Sequence, residues 1–138
     1  MSGLLEGWDW FDNGLQNVLA ARGLPYLNKT QSMMMMYISA GVERPIEIAR
    51  RMRLSRQAIR HVSGQLAAIG LIDIVDVEED KRGRRLAFRE ESALILNAAI
   101  DIIHDLEREL YSRIGSDNAQ SLRRILQLDW GPVVSEKA

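Results

Sequence analysis

Ile46-Glu47-Ile48-Ala49-Arg50-Arg51-Met52, Arg53-Leu54-Ser55 and Arg56-Gln57-Ala58-Ile59-Arg60-His61-Val62-Ser63-Gly64-Gln65-Leu66 form the stretch that decides the fold. Pro45 suits the opening of a helix over Ile46 to Met52, because its missing N–H would have no intrahelical partner there. Arg53-Leu54 makes a short turn, and Ser55 offers a side-chain oxygen to cap a second helix running to about Ile69. On that helix Ala58, Ile59, Val62, Leu66 and Ile69 fall in one stripe at helical spacing. Ala49 is small where the two helices must cross, and Leu54, Ile59 and Leu66 pin the second helix to its domain. Helix, tight turn and capped helix is a helix-turn-helix pattern, whose second helix enters a DNA major groove with its first residues against base edges.

The positions left facing outward are Arg56, Gln57, Arg60 and His61, with Ser55 at the helix start. Arg reads guanine and Gln reads adenine with paired hydrogen bonds, each worth about 1–3 kcal/mol of discrimination. Ser55 and the helix N-terminus suit a phosphate. Beyond Gly70, a left-handed stop, Leu71 to Val77 is β-branched and partly alternating and reads as a strand. Glu78 to Arg84 is a charged loop containing Gly83, and Arg85 to Phe88 reads as the return strand. A helix-turn-helix followed by a hairpin with a basic loop is a winged helix. Lys81, Arg82, Arg84 and Arg85 would flank the recognition helix and reach phosphates or the adjacent minor groove, where Arg is favoured.

Working outward, apolar residues at 4, 8, 11, 15, 18 and 19 predict a helix from Leu4 to about Ala21. Gly7 and Gly14 weaken it by roughly 1 kcal/mol each relative to Ala, so it needs a packing partner. Thr30 offers a cap for a helix from Gln31 to Ala40. Glu90 to Ile114 is the longest helical stretch, with a stripe of Leu96, Ala99, Ile103, Leu106, Leu110 and Ile114 broadened by Ile95 and Ile102. A last helix is expected over Asn118 to Leu128, ending at Trp130-Gly131-Pro132. The expected class is mainly α (α+β), a winged helix-turn-helix with N- and C-terminal dimerisation helices. Residues 1–26 would form the N-terminal dimerisation helix and 27–90 the DNA-binding domain; 91–130 would be the C-terminal dimerisation helices and 131–138 a tail. The long stripe and the aromatic N-terminus outlast what a small domain covers, and a two-fold dimer supplies the missing surface.

The 138 residues carry a formal net charge of −1, which taken alone argues against a nucleic-acid binder. The average hides a segregation. Residues 44 to 89 hold eleven basic and six acidic residues, a net +5; the remainder holds seven basic and thirteen acidic, a net −6. Ten of the eleven basic residues in the module are Arg, whose planar fork binds phosphate or guanine with two bonds. The absence of Cys excludes disulfides, thiol redox chemistry and Cys-based zinc sites, and His61 and His104 lack the spacing for a metal. No cofactor is expected. Nothing resembles a phosphate loop, a nucleophile elbow or a paired-carboxylate site, so no enzyme is expected. No stretch approaches the roughly 20 apolar residues of a membrane span. Met1 to Trp10 lacks the basic start of a signal peptide, so the expected location is cytoplasmic.

Residues 27 to 90 resemble the MarR family of bacterial transcriptional regulators. Leu27 with Gln31 resembles the family's Leu-Thr-x-x-Gln, with Asn28 in place of Thr; Glu47-Ile48-Ala49 resembles Glu-Leu-Ala. Leu54-Ser55-Arg56 resembles Val-Ser-Arg, Leu66 to Ile72 resembles Leu-Glu-x-x-Gly-Leu-Val, and Asp80-Lys81-Arg82 resembles Asp-x-Arg. Arg60, His61, Gly64 and Phe88-Arg89-Glu90 depart from the family pattern. The resemblance implies a homodimer, with Asp80 ordering the wing and Arg82 entering the minor groove. It further implies a small aromatic effector bound between the dimer helices and the winged domain. Trp8, Phe11, Met33, Met36 and Tyr37 are its candidate pocket, or else ordinary core; Trp10 should then lie outside. The Met33 to Met36 run suits packing or a pocket that repacks, with sulfoxide formation a further reading. The expected function is that of a dimeric repressor on a pseudo-palindromic double-stranded operator. The alternative is a winged-helix adaptor that uses the same surface for protein contacts.

Overall fold

A computed structural model of the chain describes residues 1–77 and 83–136. Its elements are α1 (Ser2–Ala21), α2 (Lys29–Ser39), α3 (Pro45–Met52), α4 (Arg56–Ala68), β1 (Ile72–Asp76), β2 (Arg84–Phe88), a 3₁₀ turn (Glu90–Ser92), α5 (Ala93–Ile114) and α6 (Ser116–Leu126). They fall into two compact units, Met1–Ile103 and His104–Ala138. Among the described residues no helix is long and apolar enough to cross a membrane.

The helices α2, α3 and α4 each start where a side chain or a proline deals with unpaired N–H groups. Pro45 opens α3, and the Ser55 hydroxyl accepts from the Ala58 N–H at 3.0 Å to open α4. The cap of α2 is Asn28 rather than the expected Thr30. Asn28 Oδ1 accepts from Gln31 N–H at 2.9 Å, and Gln31 Oε1 accepts from Asn28 N–H at 3.0 Å. This reciprocal box satisfies two N–H groups, whereas a cap at Thr30 would leave Gln31 without that role.

The core lies between α2, α3, α4 and the hairpin. Met34 and Ile38 of α2, Ile48 and Ala49 of α3, and Ile59, Val62 and Leu66 of α4 meet Leu71, Ile72 and Leu86. Leu27, Leu54, Phe88 and Ile95 pack around them. Ala49 is buried at the α3–α4 contact, as its size required. Ile69 departs from the expected stripe: it is 44% exposed, because α4 ends at Ala68 and the cap residue turns away from the core. Gly70, at φ +81°, then supplies the left-handed turn into β1.

β1 and β2 pair antiparallel, Ile72 opposite Phe88 and Asp76 opposite Arg84. Leu86 N–H does not enter that ladder; it donates to the Glu43 carbonyl at 2.8 Å, tying β2 to the segment that leads into α3. α1 is held to α2 by polar contacts. Asp12, only 7% exposed, accepts from the Ser32 hydroxyl at 2.6 Å and from Gln16 Nε2 at 3.2 Å. Gln16 Oε1 in turn accepts from Leu27 N–H at 2.6 Å, and Lys29 pairs with Asp9 at 2.5 Å.

Leu4 and Ile103, on the stripes expected to need a partner surface, are exposed in the single chain. Of the α5 residues described, Ile102 alone is buried. In the second unit α6 begins right after Gly115, at φ +88°, earlier than the expected Asn118. There Ala119 is buried, Arg123 bonds Glu107 at 3.2 Å, and Trp130 Nε1 donates to the Ile125 carbonyl at 3.2 Å.

Candidate nucleic-acid interface

Burial of Ile59, Val62, Ser63 and Leu66 fixes which side of α4 faces out. Arg56, Gln57, Arg60, His61 and Gly64 are all exposed on the opposite side. The first four are the set expected from spacing alone, since a helix that buries one stripe must present the complementary one. Ser55 caps the helix start, so the N-terminal dipole and the Arg56 guanidinium act on the same end. Among the described residues Arg53, Arg56 and Arg60 make no ion pair, which leaves their guanidinium groups open to an outside anion.

A cleft of about 910 Å³ runs along this face, between α4, the start of α3 and the hairpin. Arg44, Arg56, Arg60 and Arg84 line its cationic wall, and Ile46, Ile59, Ile74 and Leu86 its apolar floor. Arg84 lies on this side and pairs with Asp76 at 3.3 Å. Arg85, the next residue on the strand, has the opposite direction and approaches Glu43 at 3.8 Å. The structure thus brings Arg84 to the α4 face and sends Arg85 elsewhere. Asp80, Lys81 and Arg82 lie outside the described residues.

Arg44 was absent from the expected contact set. It precedes Pro45 and belongs to no amphipathic stripe, so only the tertiary fold brings it to Arg56 and Arg60. Its place at the N-cap of α3, on the edge of a helix-turn-helix, is the signal that was available.

Not every Arg in the module is equally available. Glu47 bonds Arg50 at 2.6 Å and Arg51 at 3.0 Å from one carboxylate oxygen. The hydrogen bond from Arg50, then that from Arg51, holds the Glu47 carboxyl below the usual carboxylate range, and the same bond raises Arg50. Arg51 also stands 5.9 Å from the centre of the Tyr37 ring. Arg89 is turned to Asp73 at 3.0 Å.

The five residues of the expected effector pocket have mixed surroundings. Trp8, Phe11 and Tyr37 are half-buried; Met33 and Met36 are exposed. Of the four consecutive methionines it is Met34 that enters the core. Trp10, expected outside, is as half-buried as Trp8 and meets the Phe11 ring edge-on, 4.9 Å between centres. Among the described residues no three His, Cys, Asp or Glu side chains are grouped to hold a metal ion.

No family model matches the chain, and no curated protein sequence matches it. Solved structures do. Wild-type MarR from E. coli, in its apo form, superposes with a TM-score of 0.69 at 18% identity, over 92% of this chain and 94% of that one. A MarR family transcriptional regulator from Silicibacter pomeroyi gives 0.66 at 20%, over 89% and 81%. The transcriptional regulator Tm0710 from Thermotoga maritima gives 0.63 at 16%, over 90% and 86%. At these identities the likeness is one of fold: the winged-helix architecture of those proteins is also that of this chain.

Proposed function

We propose that this chain is a cytoplasmic, DNA-binding transcriptional regulator of the MarR type, acting as a homodimeric repressor. The observation that carries the reading is the outer face of α4. Arg56, Gln57, Arg60 and His61 stand exposed together on a capped helix, with Arg44 and Arg84 flanking them. That combination offers base-edge donors in the centre and phosphate partners at the margin. The fold shared with proteins named as transcriptional regulators supports it.

Dimerisation is supported by apolar surface that the chain does not cover. Leu94 is 82% and Ile100 49% exposed, and in the second unit Leu122, Ile125 and Leu126 are exposed as well. Burying such surface is worth roughly 25 cal/mol per Å². Two copies would place their recognition helices about one DNA turn apart, on a pseudo-palindromic operator. Release by a small aromatic effector near Trp8, Phe11 and Tyr37 completes the proposed cycle, and quenching of Trp fluorescence by aromatic acids tests it.

The experiment for the main reading is selection of bound duplexes from genomic DNA, followed by titration on the selected site. Arg56→Ala and Gln57→Ala should relax sequence preference by about 1–3 kcal/mol. Arg82→Ala, Arg44→Ala and Arg84→Ala should weaken binding to all sequences and flatten the salt dependence by about one unit each. Unchanged affinity in all five variants overturns the reading. The apolar cleft floor at Ile46 and Ile74 favours a second reading, a protein-binding adaptor, which predicts no duplex selected above random sequence.

A further inference from the structure

Three side chains link the start of α2 to the outer face of α4. Gln31 Oε1 accepts from the Asn28 N–H at 3.0 Å; Gln31 and Gln65 meet at 3.2 Å; and Gln65 reaches His61 Nε2 at 3.1 Å. The direction of this chain is not free. A backbone N–H only donates, so Gln31 must turn its oxygen toward Asn28 and its amide nitrogen toward Gln65. Gln65 must then receive with Oε1 and pass its own N–H to the imidazole. His61 Nε2 is left one role, that of acceptor.

We propose that Gln31 and Gln65 are positioning residues that fix the tautomer of the His61 imidazole, with its proton on Nδ1, so that α4 presents a hydrogen-bond donor there. Among the described residues Nδ1 has no partner, and the ring is exposed beside Arg60. An Nδ1–H donor suits an acceptor on a base edge, such as a purine N7, guanine O6 or thymine O4. The tautomer follows from the three hydrogen bonds of the relay; its use in base reading rests on the function proposed above.

The polarity of the relay can be reversed from its far end. In Gln31→Glu one carboxylate oxygen still caps Asn28, because Glu fills that place in a capping box as well as Gln does. The other oxygen demands a donor, so Gln65 turns its amide over and offers Oε1 to His61. The imidazole must then carry its proton on Nε2. Gln65→Glu imposes the same demand without touching the cap. Gln65→Met cuts the relay, so adding Gln31→Glu to it should change nothing.

The experiment is ¹⁵N NMR of the imidazole nitrogens in the full chain at about pH 8.5, where an ordinary imidazole is neutral. His104→Asn assigns the two rings. Nδ1–H should dominate in the wild type, and Nε2–H in both Glu variants. A tautomer ratio that ignores Gln31→Glu and Gln65→Glu, or one that shifts equally in the Gln65→Met background, overturns the proposal. Duplex selection with Gln31→Glu supplies the second arm. Preference at one base per half-site should move by about tenfold from an acceptor to a donor edge, with the other positions unchanged. A reversed tautomer in a protein that selects no duplex leaves the relay standing and removes the DNA reading. Duplex selection with an unmoved tautomer does the opposite.

Discussion

α4 and α5 are both amphipathic, yet they use their apolar faces differently. The 13 residues of α4 bury Ile59, Val62, Ser63 and Leu66 against α2, α3 and the hairpin. The 22 residues of α5 bury only Ile102 among those described, and leave Leu94, Ile100 and Ile103 in solvent. A helix whose inner face is satisfied within the chain has its outer face free for polar recognition. A helix whose apolar face is unsatisfied is itself a surface for association. Charge follows the same division, with the net +5 around α4 and the net −6 in the rest of the chain.

The sharpest way to break this comparison is to hollow each helix in turn. Ile59→Ala or Leu66→Ala should cost about 2–5 kcal/mol in urea unfolding, independent of protein concentration. Leu94→Ala and Ile100→Ala should cost less, and only where the protein is concentrated enough to associate. An equal, concentration-independent loss for both pairs would erase the distinction. Next in size, Ile125→Asp should halve the mass seen in sedimentation while leaving the α4 face folded, as judged by retained salt-dependent binding to short duplexes. A persistent dimer would move the interface elsewhere.

Smaller effects sharpen the picture at the helix ends. Asn28→Ala should cost about 1 kcal/mol and Thr30→Ala much less, since only Asn28 caps. Smallest is the contribution of Glu47. Its carboxyl is lowered in the folded chain, so it stabilises above the ordinary carboxylate value and loses that contribution as pH falls through the lowered one. Glu47→Gln should therefore be slightly less stable than the wild type near neutrality and indistinguishable from it in strong acid, with added salt shrinking the gap.

The helix α4 was legible because period, cap and stop residue agreed. Ser55, the stripe through Ile59 and Leu66, and Gly70 bracket it, the expected end at Ile69 lying one residue past the observed one. The cap of α2 was less so: Asn28 and Thr30 are both capping types, and only the spacing from Asn28 to Gln31 separates them. Ile69 shows the limit of periodicity, which assigns a face but not where the helix that carries it will end. Arg44 shows another. It reaches the interface through a tertiary approach that no local pattern records. Arg84 and Arg85, adjacent in a basic run, look equivalent until the strand pleat sends them opposite ways.

The bond from Leu86 N–H to the Glu43 carbonyl has a kinetic meaning. A two-stranded hairpin is marginal in water when it stands alone, so β1 and β2 borrow their persistence from this bond and from the burial of Leu86. The amide of Leu86 is therefore a clock for the wing. Its exchange with solvent deuterium requires the hairpin to part from the segment ahead of α3, and duplex binding across both elements would slow it. Read beside the amide of Val77, which donates to the Gly83 carbonyl across the hairpin at 2.8 Å, it times how often the hairpin leaves the helices it flanks.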